Sequence, residues 1–353
     1  MATEPVEKSV LAELAWSGVP EGLRCDVWQM LLGYRPLTLG RRAEALRRKR
    51  QEYAELRRNL YEASPALAAD TEMQSASDAS REESLLLKQI RKDLPRTRLR
   101  CAGPAEKLVE DPRILAMMER VLFIWAVRQP ASGYVQGLND VLLPLLLVGL
   151  ADKATRPVEC LGLELLEELG TELVEIEADS YWCLAKILSE IFDHYTHGQP
   201  GIQRMVQRLK DVIQRIDGAL ASHLEEQGVD LLSTAFRWIT CLMVREFPVA
   251  CCLRLWDTLI AESAQSAQGV QGSAGFEALL MYFCACFTAY FSSRLQAMDF
   301  EAITLFFQQM PTDAFTESEV EVLLSEAYVL KALFQQAPRH LSNGDSPHAA
   351  SVR

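Results

Sequence analysis

The sequence predicts an all-α protein, and three observations support that fold class. Apolar residues recur at steps of three and four through nearly every segment, whereas no convincing run alternates between apolar and polar residues. Helix-start signals recur from Glu4 to about Gln335, so well over ten helices are expected. The chain has 353 residues, of which 49% are hydrophobic and 24% are charged, which excludes a wholly disordered or fibrous protein.

A basic run, RRAEALRRKRQEYAELRR at residues 41–58, is the first strongly marked element. Long cationic side chains favour exposed helix faces, so the run predicts a solvated helix. Its apolar side should partly face the core through Ala43, Leu46, Tyr53 and Leu56. A lipid-binding or partner-binding surface is the alternative that this charge leaves open.

Two apolar runs, ILAMMERVLFIWAV and VLLPLLLVGL, predict core helices on either side of a polar stretch. Further along, residues 278–293 form the longest uncharged stretch, which is shorter than the roughly 20 residues of a membrane-spanning helix and predicts a buried core helix. Thr316 and Glu319 form a capping box that predicts the start of the last helix. The first apolar run places one stripe of residues at helical spacing: Ile114, Leu115, Met118, Val121, Leu122 and Trp125.

Three stretches of small and polar residues interrupt the helical pattern. Residues 62–82 and 262–275 predict flexible connections, and neither resembles a linker between independent domains. Residues 338–353 carry too little apolar surface to offset the entropy of ordering, and predict a disordered tail. We therefore expect one helical domain over residues 1–337.

Composition restricts the compartment and the partners. A net charge of −12 and a pI near 5.1 make the average surface repel phosphate backbones, so nucleic acid is not an expected partner. The opening MATEPVEKSV has no apolar segment behind a basic start, which predicts no secretory signal and a cytosolic protein. The nine cysteines form no repeated metal-binding pairs, so we expect reduced and mostly buried thiols.

No motif for independent catalysis stands out. His194 and His197 are spaced i, i+3 beside Asp193, but no further histidine or cysteine pair completes a ligand set, so we expect no metal site. Pairing any cysteine with His223 as a protease centre has no spacing to support it. The chain also lacks a phosphate-binding loop and a dinucleotide fingerprint. It should therefore bind no nucleotide by itself.

The polar stretch ASGYVQGLND, residues 131–140, predicts a loop seated between the two core helices. Gly133 and Gly137 would let the backbone adopt conformations that other residues resist. Asn139 or Asp140 would cap the helix that resumes at Val141.

This loop and the earlier stretch IRKDLPRTR resemble the two signatures of the TBC domain, the GTPase-activating module for Rab GTPases. Further blocks follow the family in order, and the resemblance covers about residues 11–337 with a signature core at 18–262. The signature I-x-x-D-x-x-R-T stands as Ile90, Asp93, Arg96 and Thr97, and Y-x-Q-G-hydrophobic-N stands as Tyr134, Gln136, Gly137, Leu138 and Asn139. The other blocks are Trp16, Gly18, Val19, Pro20, Arg24, Trp28, Leu31, Leu32, Gly33, Tyr34 and Pro36; Ala235 to Trp238; Arg245 to Pro248; and Arg254 to Asp257.

The resemblance implies a V-shaped domain of two helical lobes that activates a GTP-bound Rab. Arg96 would be an arginine finger and Gln136 would orient the attacking water, both supplied in trans. GTP and magnesium would belong to the Rab, so the chain would bind no cofactor and would be a GTPase activator rather than an enzyme. Asp93 would hold the guanidinium of Arg96.

Other residues of these motifs are expected to support the finger pair. Arg24 stands where the family carries a supporting arginine, although a salt bridge that only stabilises the fold is an equal alternative. The remaining supporting residues are Thr97, Tyr134, Gly137, Asn139 and Asp140, of which the last two are more structural than catalytic.

Longer matches, such as FIWAVRQPASGYVQGLND, IEADSYWC and GQPGIQ, are most similar to the Golgi-associated subgroup of the family. They imply a cytoplasmic regulator of vesicle traffic whose peripheral recruitment to Golgi or other endomembranes is compatible with the sequence. The alternative is a TBC-like scaffold that binds a GTPase or another partner without accelerating hydrolysis. The retained arginine and glutamine favour the activator.

Overall fold

The structure, a computed structural model, describes residues 6–68, 78–98, 100, 103–266 and 275–336. Within these ranges the chain is helical and forms no strand, which confirms the expected fold class. Short segments of tighter or wider helix lie at Arg57–Glu62 (π), Leu94–Arg96, Val158–Cys160 and Phe192–His194 (3₁₀). The α-helices are α1 Lys8–Trp16, α2 Glu21–Leu31, α3 Leu39–Leu56, α4 Pro65–Ala68, α5 Asp78–Asp93, α6 Pro104–Val109, α7 Pro112–Arg128, α8 Leu138–Ala154, α9 Leu165–Leu169, α10 Glu172–Glu190, α11 Pro200–Ile216, α12 Gly218–Glu226, α13 Leu231–Thr240, α14 Val249–Ser266, α15 Gly275–Tyr290, α16 Ser292–Leu295, α17 Phe300–Gln308 and α18 Glu317–Gln336.

Two groups of helices follow one another along the chain. In the first, α8 and α10 pack together, α7 packs on both, and α2, α3 and α5 cover them. In the second, α15 is central and contacts α11, α14 and α18, while α13 contacts α11 and α17. Helix α14 also packs against α1 and α2, so it joins the two groups. The packing confirms the two-lobed helical arrangement.

The first strongly apolar run forms α7, and its sequence explains where it begins. Asp111 caps the helix by accepting a hydrogen bond from the Arg113 N–H at 2.8 Å, and Pro112 occupies the first turn, where its missing N–H costs nothing. The predicted stripe lies against the core, with Leu115 half-buried and the others buried. Helices α7 and α8 thus form buried supports on either side of the loop at residues 129–137.

Other predicted elements are confirmed with shifted boundaries. Helix α15 begins at Gly275 and is buried through Thr288, as a core helix should be. The capping box forms, because the backbone N–H of Thr316 donates to Glu319 at 2.7 Å and the Ser318 N–H donates to Thr316 Oγ1 at 3.3 Å. No helix in the described ranges is long and apolar enough to cross a membrane.

The basic run forms α3 as a largely solvated helix. Leu46 and Tyr53 are buried and Leu56 is half-buried, as predicted, but Ala43 is exposed. Ala43 lies near the start of the helix, where it lines an open groove with Val174 and Glu175 of α10 and is not covered by the core.

Both predicted flexible connections are shorter than expected. Helices α4 and α5 occupy residues 65–68 and 78–82 of the first connection. Helix α14 continues through Ser266, with Glu262 and Ser263 buried, because its neighbours α1 and α18 cover that end. The remaining parts of both connections, and the predicted disordered tail, lie outside the described residues. The eight cysteines among the described residues are free thiols, and all but Cys160 are buried.

Candidate functional site

Arg96 lies at the end of the 3₁₀ turn Leu94–Arg96, directly after α5. Pro95 fixes this turn, and the chain becomes extended at Thr97. The Arg96 side chain is 57% exposed, and its Nη1 lies 3.7 Å from Oδ1 of the buried Asp93. That distance describes a loose ion pair, not the charge-assisted hydrogen bond that was expected. The guanidinium is therefore free to reach outward.

Gln136 lies in the loop between α7 and α8 and is exposed. Two glycines shape this loop, with φ of +64° at Gly133 and +109° at Gly137, as their placement predicted. A Cβ on Gly137 would lie 3.2 Å from Sγ of Cys241, so this position also requires a close approach of the backbone to α13 and the residue after it. The loop is thus held against the second lobe where it presents Gln136.

Asn139 ties the two signature segments together. Its Nδ2 donates to Oγ1 of Thr97 at 2.9 Å, and its Oδ1 accepts hydrogen bonds from the Tyr134 hydroxyl and the Gly137 N–H, both at 3.2 Å. Asn139 is fully buried, so these bonds form away from solvent. The segment after Arg96 and the segment around Gln136 therefore belong to one hydrogen-bonded unit.

The Tyr134 hydroxyl is part of the same buried unit. Burial, together with the nearby carboxylates of Asp93 and Asp140, raises the pKa of this hydroxyl well above its ordinary value. It therefore remains a neutral donor toward Asn139 at physiological pH.

Asp140 and Arg245 form a second link that the sequence did not predict. Nε of Arg245 lies 2.9 Å from Oδ2 of the fully buried Asp140, and its Nη2 donates to the backbone carbonyl of Arg96 at 3.4 Å. Burial raises the pKa of the Asp140 carboxyl, and the charge of Arg245 opposes that rise. Arg245 thus connects the finger segment to the first turn of α8.

An acid such as Asp140, at the start of an apolar run, indicates that a buried carboxylate needs a cationic partner. Nothing in the sequence identifies Arg245 as that partner. The expected capping role for Asp140 is wrong. Helix α8 begins at Leu138, ahead of Val141, and no side chain caps it at Gly137. Asp140 lies inside the first turn, where its carboxylate turns toward Arg245 instead of the helix N-terminus.

Arg24 belongs to a separate buried network. Its guanidinium donates to both carboxylate oxygens of Asp257 at 3.1 to 3.3 Å, and the same carboxylate accepts from Trp28 Nε1 at 2.7 Å and from the Val19 N–H at 2.9 Å. These contacts join α2 to α14. These are the contacts of the fold-stabilising salt bridge, one of the two alternatives, and among the described residues Arg24 makes no hydrogen bond to Arg96 or Gln136. The supporting role stays a prediction.

His194 and His197 do not belong to the same cluster of candidate ligands. His194 lies beside Asp193 and Glu277, a residue of α15 that sequence spacing could not bring to it, whereas His197 is not part of this cluster. The expectation that no metal is bound depended on the lack of a further histidine or cysteine pair, and the structure places a carboxylate, Glu277, beside His194 instead.

This arrangement offers one exposed cation and one exposed neutral amide on two bonded segments of an all-helical, two-lobed domain. Such an arrangement can act on a partner's phosphates and on a water molecule, and with the two signatures it defines the class of TBC domains. Residues 21–296 match the family model of the Rab-GTPase-TBC domain, and the chain belongs to that family.

Individual relatives extend the likeness over nearly all of the chain. It is 39% identical to GTPase-activating protein gyp1 of Schizosaccharomyces pombe over 95% of this chain and 60% of the relative. It is 36% identical to TBC1 domain family member 22A of Homo sapiens over 94% of this chain and 58% of the relative. The chain thus spans about 60% of the length of these curated relatives.

The solved crystal structure of the Ypt/Rab-GAP domain of Gyp1p has the same fold. It is 32% identical in sequence and superposes with a TM-score of 0.80 over 94% of both chains. A flagellar RabGAP TBC domain from Chlamydomonas, 18% identical, shares the fold with a TM-score of 0.59. These similarities confirm the resemblance read from the sequence.

Proposed function

We propose that this chain stimulates GTP hydrolysis by a Rab-family GTPase in its GTP form, using Arg96 and Gln136 in trans. The observation that carries the proposal is the buried hydrogen bond between Asn139 and Thr97, which joins the two segments while their neighbours Arg96 and Gln136 stay exposed. Membership of the Rab-GTPase-TBC family adds independent support.

Arg96 has the chemistry that phosphoryl transfer requires. The transition state spreads charge over the γ-phosphoryl oxygens, and a guanidinium offers a planar fork of donors that can bridge two of them. Its pair with Asp93 is 3.7 Å long and more than half of the side chain is exposed, so little must be given up when it enters a partner. An arginine supplied in this way contributes on the order of 10³ to 10⁵ in rate.

Gln136 complements the cation with a neutral side chain. Its amide can accept a hydrogen bond from the attacking water and donate one toward the phosphoryl group. The backbone N–H of the next residue, Gly137, is fixed by Asn139, which limits the positions that the amide can reach. Positioning of this kind is worth several kcal/mol when the water must attack in line.

GTP and magnesium would be bound by the Rab, and the chain would supply side chains only. On this proposal it is a GTPase activator and not an enzyme with its own turnover. Its similarity to the Golgi-associated subgroup favours action in vesicle traffic, with a cytoplasmic protein recruited peripherally to Golgi membranes. Imaging of a fluorescent fusion beside Golgi and endosomal markers tests that location.

The decisive experiment is single-turnover GTP hydrolysis by a panel of Rabs in the presence of the wild-type chain. At least one Rab should be stimulated by on the order of 10³-fold or more. Binding to Rab loaded with a transition-state mimic should be tighter than binding to the GDP form. If the chain binds a GTP-loaded Rab but leaves its hydrolysis rate unchanged, the scaffold alternative replaces the activator.

A further inference from the structure

A cluster of metal-ligating groups lies at the start of the second lobe, apart from the finger pair, with two members buried and Asp193 partly exposed. His194 ends the 3₁₀ turn that follows α10, Asp193 precedes it, and Glu277 comes from the first turn of α15. One ligand atom from each of the three lies within 4.8 Å of the other two. His194 is fully buried and Glu277 is 7% exposed.

The imidazole of His194 is the unusual member of this cluster. Neither of its ring nitrogens has a hydrogen-bond partner among the described residues. Nε2 faces Oε2 of Glu277 at 3.8 Å, too far for a hydrogen bond, and Arg204 lies 4.0 Å from the same carboxylate oxygen. A fully buried imidazole with both nitrogens unbonded is costly, so a group bound between it and the facing carboxylate would account for the arrangement.

Asp193 is oriented toward the same space by its neighbours. Its Oδ2 accepts a hydrogen bond from Arg204 at 2.6 Å, while its Oδ1 makes no hydrogen bond within the described part of the chain. A Cβ on Gly201 would lie 2.4 Å from both Oδ1 of Asp193 and Cδ2 of His194. The backbone at Gly201 therefore packs directly against this pair, and one carboxylate oxygen of Asp193 lies within 4.8 Å of the ligand atoms of His194 and Glu277.

We propose that Asp193, His194 and Glu277 bind one divalent cation of the zinc class. One imidazole nitrogen and two carboxylate oxygens are ligands that zinc accepts, with bonds of about 2.0 to 2.2 Å. Two such ligands around a tetrahedral ion lie about 3.4 Å apart, so the 3.8 Å between His194 and Glu277 needs only a small closure. Nη2 of Arg204 lies 2.6 Å from Oδ2 of Asp193 and 4.0 Å from Oε2 of Glu277, so this guanidinium holds the Asp193 carboxylate on the side of Glu277.

The cation would fix a segment that also touches the Gln136 loop. Tyr195 follows His194, its carbonyl accepts a hydrogen bond from Ser132 at 3.0 Å, and its hydroxyl donates to the Thr240 carbonyl at 3.0 Å. Zinc would thereby join α15 to the segment that braces the loop between α7 and α8. The site is a structural one and does not depend on the proposed GTPase activation.

Zinc uptake by the metal-free full chain tests the site directly. Titration with zinc chloride in excess magnesium should give one zinc per chain and raise the melting temperature by about 5 °C at a hundredfold excess over Kd. His194→Asn and Glu277→Gln, which change shape little, should each weaken zinc binding by at least about 100-fold. His197→Ala and Cys160→Ser are the matched controls and should bind zinc like the wild type.

X-ray absorption on the zinc-loaded wild type provides a second reading that needs no variant to fold. Nitrogen and oxygen ligands at about 2.0 Å, with an imidazole signature and no sulfur, are expected. The proposal is overturned if the wild type takes up no stoichiometric zinc, if sulfur is found in the ligand shell, or if His194→Asn and Glu277→Gln bind zinc unchanged.

Discussion

Asn139 donates a hydrogen bond to Oγ1 of Thr97 at 2.9 Å, and this contact joins two segments that are distant in sequence. Each segment carries one exposed polar residue beside the contact, Arg96 on one side and Gln136 on the other. Because Asn139 is fully buried and also holds Tyr134, the contact is part of a network with few alternative arrangements. The finger pair is therefore positioned by a shared buried side chain.

Removing that side chain should lower both stability and activation. Asn139→Ala leaves the Thr97 hydroxyl, the Gly137 N–H and the Tyr134 hydroxyl without this partner, so we expect a loss of about 3 kcal/mol in the free energy of unfolding. Urea denaturation measures this loss, and single-turnover assays on the folded fraction should show a lower stimulated rate.

A double-mutant cycle with Thr97→Val isolates the direct contact. The two substitutions should be coupled by about 1 kcal/mol, whereas Asn139→Ala combined with Thr171→Val, at an exposed threonine without a side-chain cap bond, should be additive. Equal coupling in both pairs would mean that Asn139 does not act through Thr97.

Arg245 should behave as a positioning residue. Arg245→Met removes the cation beside the buried Asp140 and the bond to the Arg96 carbonyl, so we expect a loss of about 3 to 5 kcal/mol in stability. Adding Asp140→Asn removes the unpaired charge and should recover part of that stability. Chemical denaturation of the single and double variants measures both effects.

The stimulated rate separates Arg245 from a purely structural arginine. The stabilised double variant should still activate a Rab less than the wild type, because the carbonyl of Arg96 has lost its donor, while binding to the GTP form changes little. A double variant with wild-type stimulation would assign Arg245 to the fold alone.

Arg24 should affect stability without affecting chemistry. Arg24→Ala leaves Asp257 buried without its cation, so we expect a loss of about 3 to 5 kcal/mol, while the stimulated rate per folded molecule stays within about threefold of wild type. Arg41→Ala, at an exposed arginine, is the control and should change stability by less than about 0.5 kcal/mol. A stable Arg24→Ala protein with a hundredfold lower rate would restore the supporting role in the site.

The helices could be read from the sequence because their signals are local. The spacing of Ile114, Met118 and Val121 and the box at Thr316 and Glu319 depend on residues one or two turns apart, and both are confirmed. The positive φ at Gly137 could also be predicted from the sequence, because it depends only on the conformational preference of glycine.

Long-range pairing could not be read in the same way. Arg24 meets Asp257, Arg245 meets Asp140 and Glu277 meets His194 only because helices from distant parts of the chain pack together. Periodicity identifies which face is buried but not which neighbour it meets. Helix α8 begins at Leu138 and not at Val141 for a related reason. Asn139 and Asp140 lie inside the helix, and their polar side chains contact residues from other parts of the chain.

Arg96 and Gln136 should act on the partner's nucleotide while contributing little to the fold. Arg96 is more than half exposed and Arg98, two residues further, is similarly exposed with its own ion pair to Glu110 at 3.5 Å. Arg98→Lys is therefore a matched control for Arg96→Lys, and Gln129→Ala, at a half-buried glutamine of the same loop, is the control for Gln136→Ala. Each of these variants should unfold within about 0.5 kcal/mol of the wild type.

Single-turnover hydrolysis by a stimulated Rab, compared across these variants, is the most direct measurement. We expect Arg96→Lys and Gln136→Ala each to lower the stimulated rate by at least about 100-fold, because several kcal/mol of transition-state stabilisation are lost. Arg98→Lys and Gln129→Ala should keep rates within about threefold of wild type. Wild-type stimulation by Arg96→Lys or Gln136→Ala, or an equal loss in the controls, would show that the two side chains do not act on the nucleotide.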